Sequence, residues 1–391
     1  MKKNNPISTV TYAIVFVMVT GVIGLLSFGN LINFYVNDEV DYNEWTADLG
    51  SKFETDIATT FFEKFQFVNL NGAVRNLLGQ QEMNGVVKLD NGYLLTTLPY
   101  SSDDYLQKCA DHVVTFNTYL RERGTALVYA SPPYTSGKYD PELPEGVEDY
   151  GNSNIDRFIS MLNNASVDTI DFREKMYEDG IDHYDMMYKT DHHWNTEAGF
   201  YAYGIFEDYI VEKTGCSVDK RISDIDNYTV TTYKNWHLGS RGQRTGRYYA
   251  GIDDFDLIIP NFDTAIQSDS GVVGCMQDVV INMEPLQNKE YTSRYTYDWV
   301  LGDSLGHYVN LDCENEIKIL IVTDSFGKAV TPFLMMGFSE IDFVYDEDVS
   351  GITPEFIESF DPDIVILMYY PLCLSEYYDG APFNFQGYDE N

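Results

Sequence analysis

Ile319-Leu320-Ile321-Val322-Thr323-Asp324-Ser325-Phe326-Gly327 is the stretch that decides the fold. A short continuous apolar run, mostly β-branched, reads as a strand buried on both faces. It stops on Asp and Ser, residues that favour turns and helix caps. The same alternation continues around it. Lys328 to Met336 reads as a helix, Ile341 to Tyr345 as a strand, Pro354 to Phe360 as a helix and Ile364 to Met368 as a last strand. Upstream, Asp104 to Arg123 reads as a helix closed by Gly124. Ala126 to Ala130 is an apolar strand ending at Ser131-Pro132-Pro133, Asn154 to Leu162 a helix and Val167 to Phe172 a strand. Short apolar strands alternating with helices predict a mainly parallel sheet covered on both faces, a three-layer α/β/α domain. Between about 216 and 317 the pattern changes. Tyr228 to Tyr233 and Leu257 to Pro260 read as antiparallel strands among many Tyr, Asp and Gly, a β-rich insertion rather than a second domain.

A serine at the carboxyl end of a parallel strand lies where open α/β sheets receive ligands. If Phe326 and Gly327 open a helix, their N–H groups face the serine oxygen and can hold an oxyanion, and Gly327 leaves room for an acyl group. The plain alternative makes Asp324 or Ser325 a helix cap and nothing more. A second string, Thr190-Asp191-His192-His193-Trp194-Asn195, stands before a helix whose apolar stripe runs through Ala198, Ala202, Ile205 and Tyr209. Asn195 or Thr196 can cap that helix, with Glu197 at its positive end. A serine hydroxyl is a weak nucleophile until a base takes its proton, and an imidazole held by a carboxylate is such a base. Asp191, His193 and Ser325 therefore form a candidate nucleophilic set, provided the fold unites them. The bland reading leaves Asp191 as a cap and His193 on the surface. His183, Asp185, Asp191, His192 and His193 also raise the question of a metal. Their spacing lacks the HExxH regularity, and adjacent imidazoles share one ion poorly, so no metal and no cofactor is expected. His192, Trp194 and Tyr134 are candidates for touching substrate, although Trp194 also reads as packing beneath the motif.

The pair of strings TDHHWN and TDSFG, about 130 residues apart, resembles the DHHW family of Gram-positive bacteria, which is similar to the SGNH-hydrolase-like (flavodoxin-like) domains of alginate O-acetylation proteins. The resemblance covers roughly residues 60 to 370. It implies a permuted order in which Asp191 orients, His193 acts as base and Ser325 attacks. It also implies a multipass membrane O-acyltransferase as a source of acetyl groups. The family's further oxyanion donors match no block of this sequence, and the last strand runs into Tyr369-Tyr370 where the family often has a charge.

The net charge of −37 excludes nucleic acid and anionic lipid surfaces as direct partners, since both require Lys/Arg patches. It also disfavours a polyanionic substrate and suits a neutral glycan or a small ester. With 44% apolar residues, 31 Tyr and 23 Phe, the chain has material for a large core. From Ile7 to Phe28 no residue is charged, a length that spans a bilayer. Lys2 and Lys3 predict a cytoplasmic start, and no small-x-small cleavage site follows, so an uncleaved signal anchor is expected over a secreted form. The expected plan is residues 1–30 as start and anchor, 31–95 as a juxtamembrane segment and 96–391 as the catalytic domain with its insertion. Five widely spaced cysteines without CxxC exclude a zinc ribbon or thioredoxin-like site; whether Cys275 and Cys313 pair stays open. The function expected is an extracytoplasmic serine-dependent O-acetyltransferase acting on a cell-surface or secreted glycan. An acetyl esterase and a catalytically silent glycan-binding or scaffold protein remain the alternatives.

Overall fold

The computed structural model describes residues 6–37, 56–57, 59–289, 295–302 and 306–388. Lys2, Lys3 and much of the expected juxtamembrane segment lie outside them. The chain divides into two compact units, residues 1–71 and 72–391. The first contains helix α1 (Pro6–Asn37), whose stretch Val10–Val36 has a mean hydropathy of 2.2 and suits a membrane anchor or a signal sequence by length and composition.

The second unit opens with a small antiparallel sheet, β1 (Glu82–Met83), β2 (Val86–Lys88) and β3 (Leu94–Leu95). Helix α2 (Asp103–Glu122) follows, capped by the Ser102 hydroxyl on the Tyr105 N–H and led by Asp103 and Asp104. It packs Leu106, Val113, Phe116 and Leu120 into the core. Next come β4 (Ala126–Ser131), α3 (Gly151–Asn164) and β5 (Asp168–Asp171). Helix α4 (Thr196–Thr214) is capped by the Asn195 side chain on the Ala198 N–H and ends at Gly215 in the left-handed region. The insertion supplies β6 (Tyr228–His237) and β7 (Asp253–Pro260), paired antiparallel, then β8 (Ile266–Ser268), β9 (Val273–Gly274) and β10 (His307–Asn310). The chain closes with β11 (Lys318–Thr323), α5 (Thr331–Gly337), β12 (Glu340–Tyr345), α6 (Pro354–Phe360) and β13 (Ile364–Met368).

The main sheet has the order β5-β4-β13-β11-β12-β10-β8-β9. Its first five strands are parallel; β10, β8 and β9 extend it antiparallel. β11 and β13 are buried along nearly their whole length, as their apolar runs require. Three strands of the insertion thus continue the central sheet rather than standing apart from it. The expected helix from Lys328 to Met336 is two elements. A 3₁₀ turn covers Ser325–Ala329, and the α-helix begins only at Thr331, which puts Pro332 in its first turn where no N–H is needed.

Candidate active site

Residues 187–194 form a closed loop. Met187 and Trp194 bridge antiparallel, the Tyr188 N–H donates to the His193 carbonyl at 3.2 Å and the Asn195 N–H to Met186 at 3.0 Å. Inside the loop, half-buried Asp253 of β7 accepts from the Lys189 and Thr190 N–H groups and from the Thr190 hydroxyl, at 3.0, 2.8 and 2.6 Å. This closure turns the Asp191 and His193 side chains toward each other, which neither a helix nor an open strand end would ensure.

Ser325 follows β11 directly. Its Oγ lies 2.6 Å from His193 Nε2, and His193 Nδ1 lies 3.2 Å from Asp191 Oδ2. The three residues predicted to converge from strings 132 positions apart do converge. Asp191 and His193 are buried. The His193 ring stacks on Tyr297 of the insertion, with centroids 4.3 Å apart, and meets the Phe326 ring at 5.1 Å. Both packing partners also hold the serine turn. The Tyr297 hydroxyl donates to the Ser325 carbonyl at 3.0 Å, and the Phe326 carbonyl accepts from Trp194 Nε1 at 3.0 Å. On the far side, a Cβ on Gly199 of α4 would stand 2.2 Å from the Ala329 carbonyl oxygen, so the helix behind His193 packs directly on the serine turn.

The expectations for Phe326, Gly327, Tyr134 and Trp194 need correction. The Phe326 N–H donates to Asp324 Oδ1 at 2.9 Å and the Gly327 N–H to the Asp324 carbonyl at 3.1 Å, so neither faces an oxyanion. Asp324 caps its own turn. Its other oxygen accepts from the Tyr370 N–H at 2.6 Å and ties the turn to the end of β13. Ser325's own N–H has no hydrogen-bond partner among the described residues. Gly327 is required by packing, not by a substrate. A Cβ there would meet Thr323 Cγ2 at 2.4 Å and Phe343 Cε2 at 2.8 Å. Tyr134 is also removed from the substrate side, because it is fully buried and donates to Asp149 Oδ1 and the Thr96 carbonyl. Trp194 packs beneath the loop against Phe172 and Phe326. His192 does line a cavity of about 380 Å³ with Ser325, Asp324, Tyr345, Asp346, Glu347 and Tyr370.

The partners of Asp191 were hidden from sequence reading. Oδ2 accepts from His237 Nε2 at 3.1 Å as well as from His193. Oδ1 accepts from the His192 N–H at 2.8 Å and the Ser240 hydroxyl at 3.0 Å, and lies 2.9 Å from His192 Nδ1. The backbone of Gly239 passes so close that a Cβ would lie 2.2 Å from that of Asp191. Buried Arg241 bonds the Asp191 carbonyl at 3.0 Å, the Thr135 hydroxyl at 2.6 Å and Tyr370 Oη at 3.0 Å. Burial alone would raise the Asp191 carboxyl, but the charges and hydrogen bonds of His193 and His192 outweigh it and hold the group well below its ordinary value. Burial and repulsion from His193 push His192 down to about 4, so it is neutral near pH 7. One signal was available: the chain has only six histidines, and three of them meet this carboxylate. Asp191, His192 and His193 also bring donor atoms within 4.8 Å of one another, but both carboxylate oxygens of Asp191 already accept from several donors. That donor set suits an orienting acid better than a metal ligand.

In the cavity lining, Asp346 is pushed up to about 7 by burial and then by Asp324 and Glu347. Its folded-state pKa lies above the unfolded one, so the folded chain holds a proton that the unfolded chain has lost. Stability therefore falls as pH rises from the unfolded value through about 7. Asp346→Asn is expected to be indistinguishable from the parent near pH 4 and more stable by roughly 2 kcal/mol at pH 8. Thermal unfolding at the two pH values checks this; an equal gain at both would remove the titration as its cause.

Residues 94–207 match the family model described as "SGNH hydrolase-like domain, acetyltransferase AlgX". Over those residues the chain is similar to that acetyltransferase-like SGNH domain. The match contains Asp191 and His193 and stops short of Ser325. Comparison with curated proteins finds no match. Among solved structures, Bacillus cereus PatB1 is similar at 22% identity over 77% of this chain and 99% of its own, with a TM-score of 0.59. A second PatB1 structure, with a sulfonyl adduct, has 21% identity, 78% and 99% coverage and a TM-score of 0.58. A DHHW family protein from Eubacterium siraeum has 17% identity, 78% and 97% coverage and a TM-score of 0.52. These likenesses show the mainly parallel SGNH-like fold.

Proposed function

We propose that this protein transfers an acetyl group through Ser325 to a hydroxyl of a cell-surface or secreted glycan. The observation that carries the reading is the 2.6 Å contact between Ser325 Oγ and His193 Nε2, backed by Asp191 and opening into the cavity. In this reading His193 takes the Ser325 proton as Oγ attacks the acetyl carbonyl. Ser325's N–H stabilises the oxyanion, and the proton passes to the leaving group. A sugar hydroxyl then attacks the acetyl-serine, His193 takes its proton, and Ser325 Oγ leaves with that proton. Asp191 holds the imidazole through both halves.

The cavity wall supports the choice of acceptor. It contains Asp324, Asp346 and Glu347, and among the described residues no lysine or arginine lines it. Tyr345, Tyr370 and Tyr378 offer rings to a sugar. A neutral glycan fits this wall better than a uronate. The apolar helix α1 suits an anchor that holds the domain outside the cytoplasm, beside a multipass O-acyltransferase that supplies acetyl groups and so raises their effective concentration. A secreted form would keep the same site. A cavity that also admits water favours acetyl esterase activity as the second reading.

The test uses the full chain in detergent with p-nitrophenyl acetate and oligosaccharide acceptors. Acetylated neutral sugar should form at the expense of free acetate, with an oligouronate of equal length at least about tenfold poorer, as like charge at close range requires. Hydrolysis unaffected by any acceptor would favour the esterase. A sulfonyl fluoride should modify Ser325, in line with the PatB1 structure that carries a sulfonyl adduct. No acetyl release and no sulfonylation would leave the scaffold reading.

A further inference from the structure

We infer that His237 is a positioning residue that shares the Asp191 carboxylate with His193 and thereby sets the pH range in which the Ser325–His193 pair works. This rests on the reading of Ser325 as nucleophile. His237 is fully buried at the end of β6, where the strand register shifts between Tyr233 and His237. Its Nε2 lies 3.1 Å from Asp191 Oδ2, the same oxygen that stands 3.2 Å from His193 Nδ1. Its Nδ1 is buried without a partner among the described residues. An ionised carboxylate only accepts, so the Nε2 proton is required, and Nδ1 is the nitrogen left without a bond. A buried polar atom without a partner is costly and persists where the other nitrogen is needed.

Both bonds to Oδ2 are longer than a charge-assisted bond from a single donor. The oxygen is therefore divided between two imidazoles. A second donor withdraws charge from Asp191 and weakens its support for a protonated His193. His193 then stays a free base at a lower pH than it would with the carboxylate to itself. The other groups facing the pair leave this relation in place. His237 faces Asp191 and Asp253 and has the Tyr188 ring at 4.5 Å. His193 faces Asp191, Asp324, Ser325, Tyr297 and the neutral His192, and Arg241 meets Asp191 at its main-chain carbonyl rather than at its carboxylate.

The experiment measures kcat/KM for p-nitrophenyl acetate from pH 5 to 9 on the full chain in detergent, comparing the parent with His237→Leu and His237→Gln. Removing the donor should move the acid limb upward by about one pH unit. Gln returns an N–H near the Nε2 position and should restore the parent limb. A uniform loss across pH, an unmoved limb in His237→Leu, or equal displacement in both variants would overturn the inference. Should His237→Leu not fold, ¹⁵N spectra of the parent decide instead. His237 must be the neutral Nε2–H tautomer at pH 7, and a charged or Nδ1–H ring refutes the sharing. If Ser325→Ala leaves hydrolysis untouched, the nucleophile assignment fails, while the tautomer measurement still judges His237.

Discussion

Ser325→Ala is expected to lower acetyl release from p-nitrophenyl acetate by about 10⁴-fold or more, with residual rate from the remaining groups. Ser325 is the hydroxyl in contact with the base, and removing it leaves His193 with nothing to deprotonate but water. The variant should fold, because Ser325 Oγ reaches into the cavity while the turn is held by Asp324, Tyr297 and Trp194 through main-chain groups. Unchanged thermal unfolding beside lost turnover therefore separates chemistry from structure. A loss below tenfold would mean that another group carries the acyl transfer.

Asp191→Asn is expected to cost about 10³- to 10⁴-fold in kcat/KM, and unlike the serine change it should also destabilise the domain. Asp191 accepts from His193, His237, His192 and Ser240. An amide replaces one acceptor oxygen by a donor, so its NH₂ must face either the two imidazoles or the Ser240 hydroxyl. Facing the imidazoles, it forces the wrong His193 tautomer. Facing Ser240, it opposes the donors on that side. Unfolding measured beside turnover should show both losses. An Asn variant with parental activity would show that His193 needs no orienting acid.

The strand-helix alternation was readable in the sequence because β4, β11 and β13 are buried on both faces and must be continuous apolar runs. The meeting of Asp191, His193 and Ser325 was readable for a different reason: few residue types suit nucleophilic acyl chemistry, and each of the three sits in a distinctive string. The cradle of His237, Gly239, Ser240 and Arg241 was not readable. It lies in the insertion and meets Asp191 only through tertiary packing, which no local period records. The oxyanion donors failed on a finer point. A sequence shows that Asp324 precedes two amides, but not that its carboxylate turns back to cap the Phe326 N–H. Tyr134 shows the same limit, since an aromatic after a Pro pair reads alike whether its hydroxyl faces a cavity or Asp149.

The position of β13 has a bearing on how the protein is made. The last strand in the chain lies between β4 and β11, at the middle of the sheet. Until Ile364–Met368 has left the ribosome, β4 and β11 each show an open edge, and the serine turn lacks the Tyr370 N–H that holds Asp324. A nascent or prematurely ended chain thus exposes two apolar strand edges at once and leaves the serine turn untethered. Closure of the sheet and the tethering of the serine turn are thus one event.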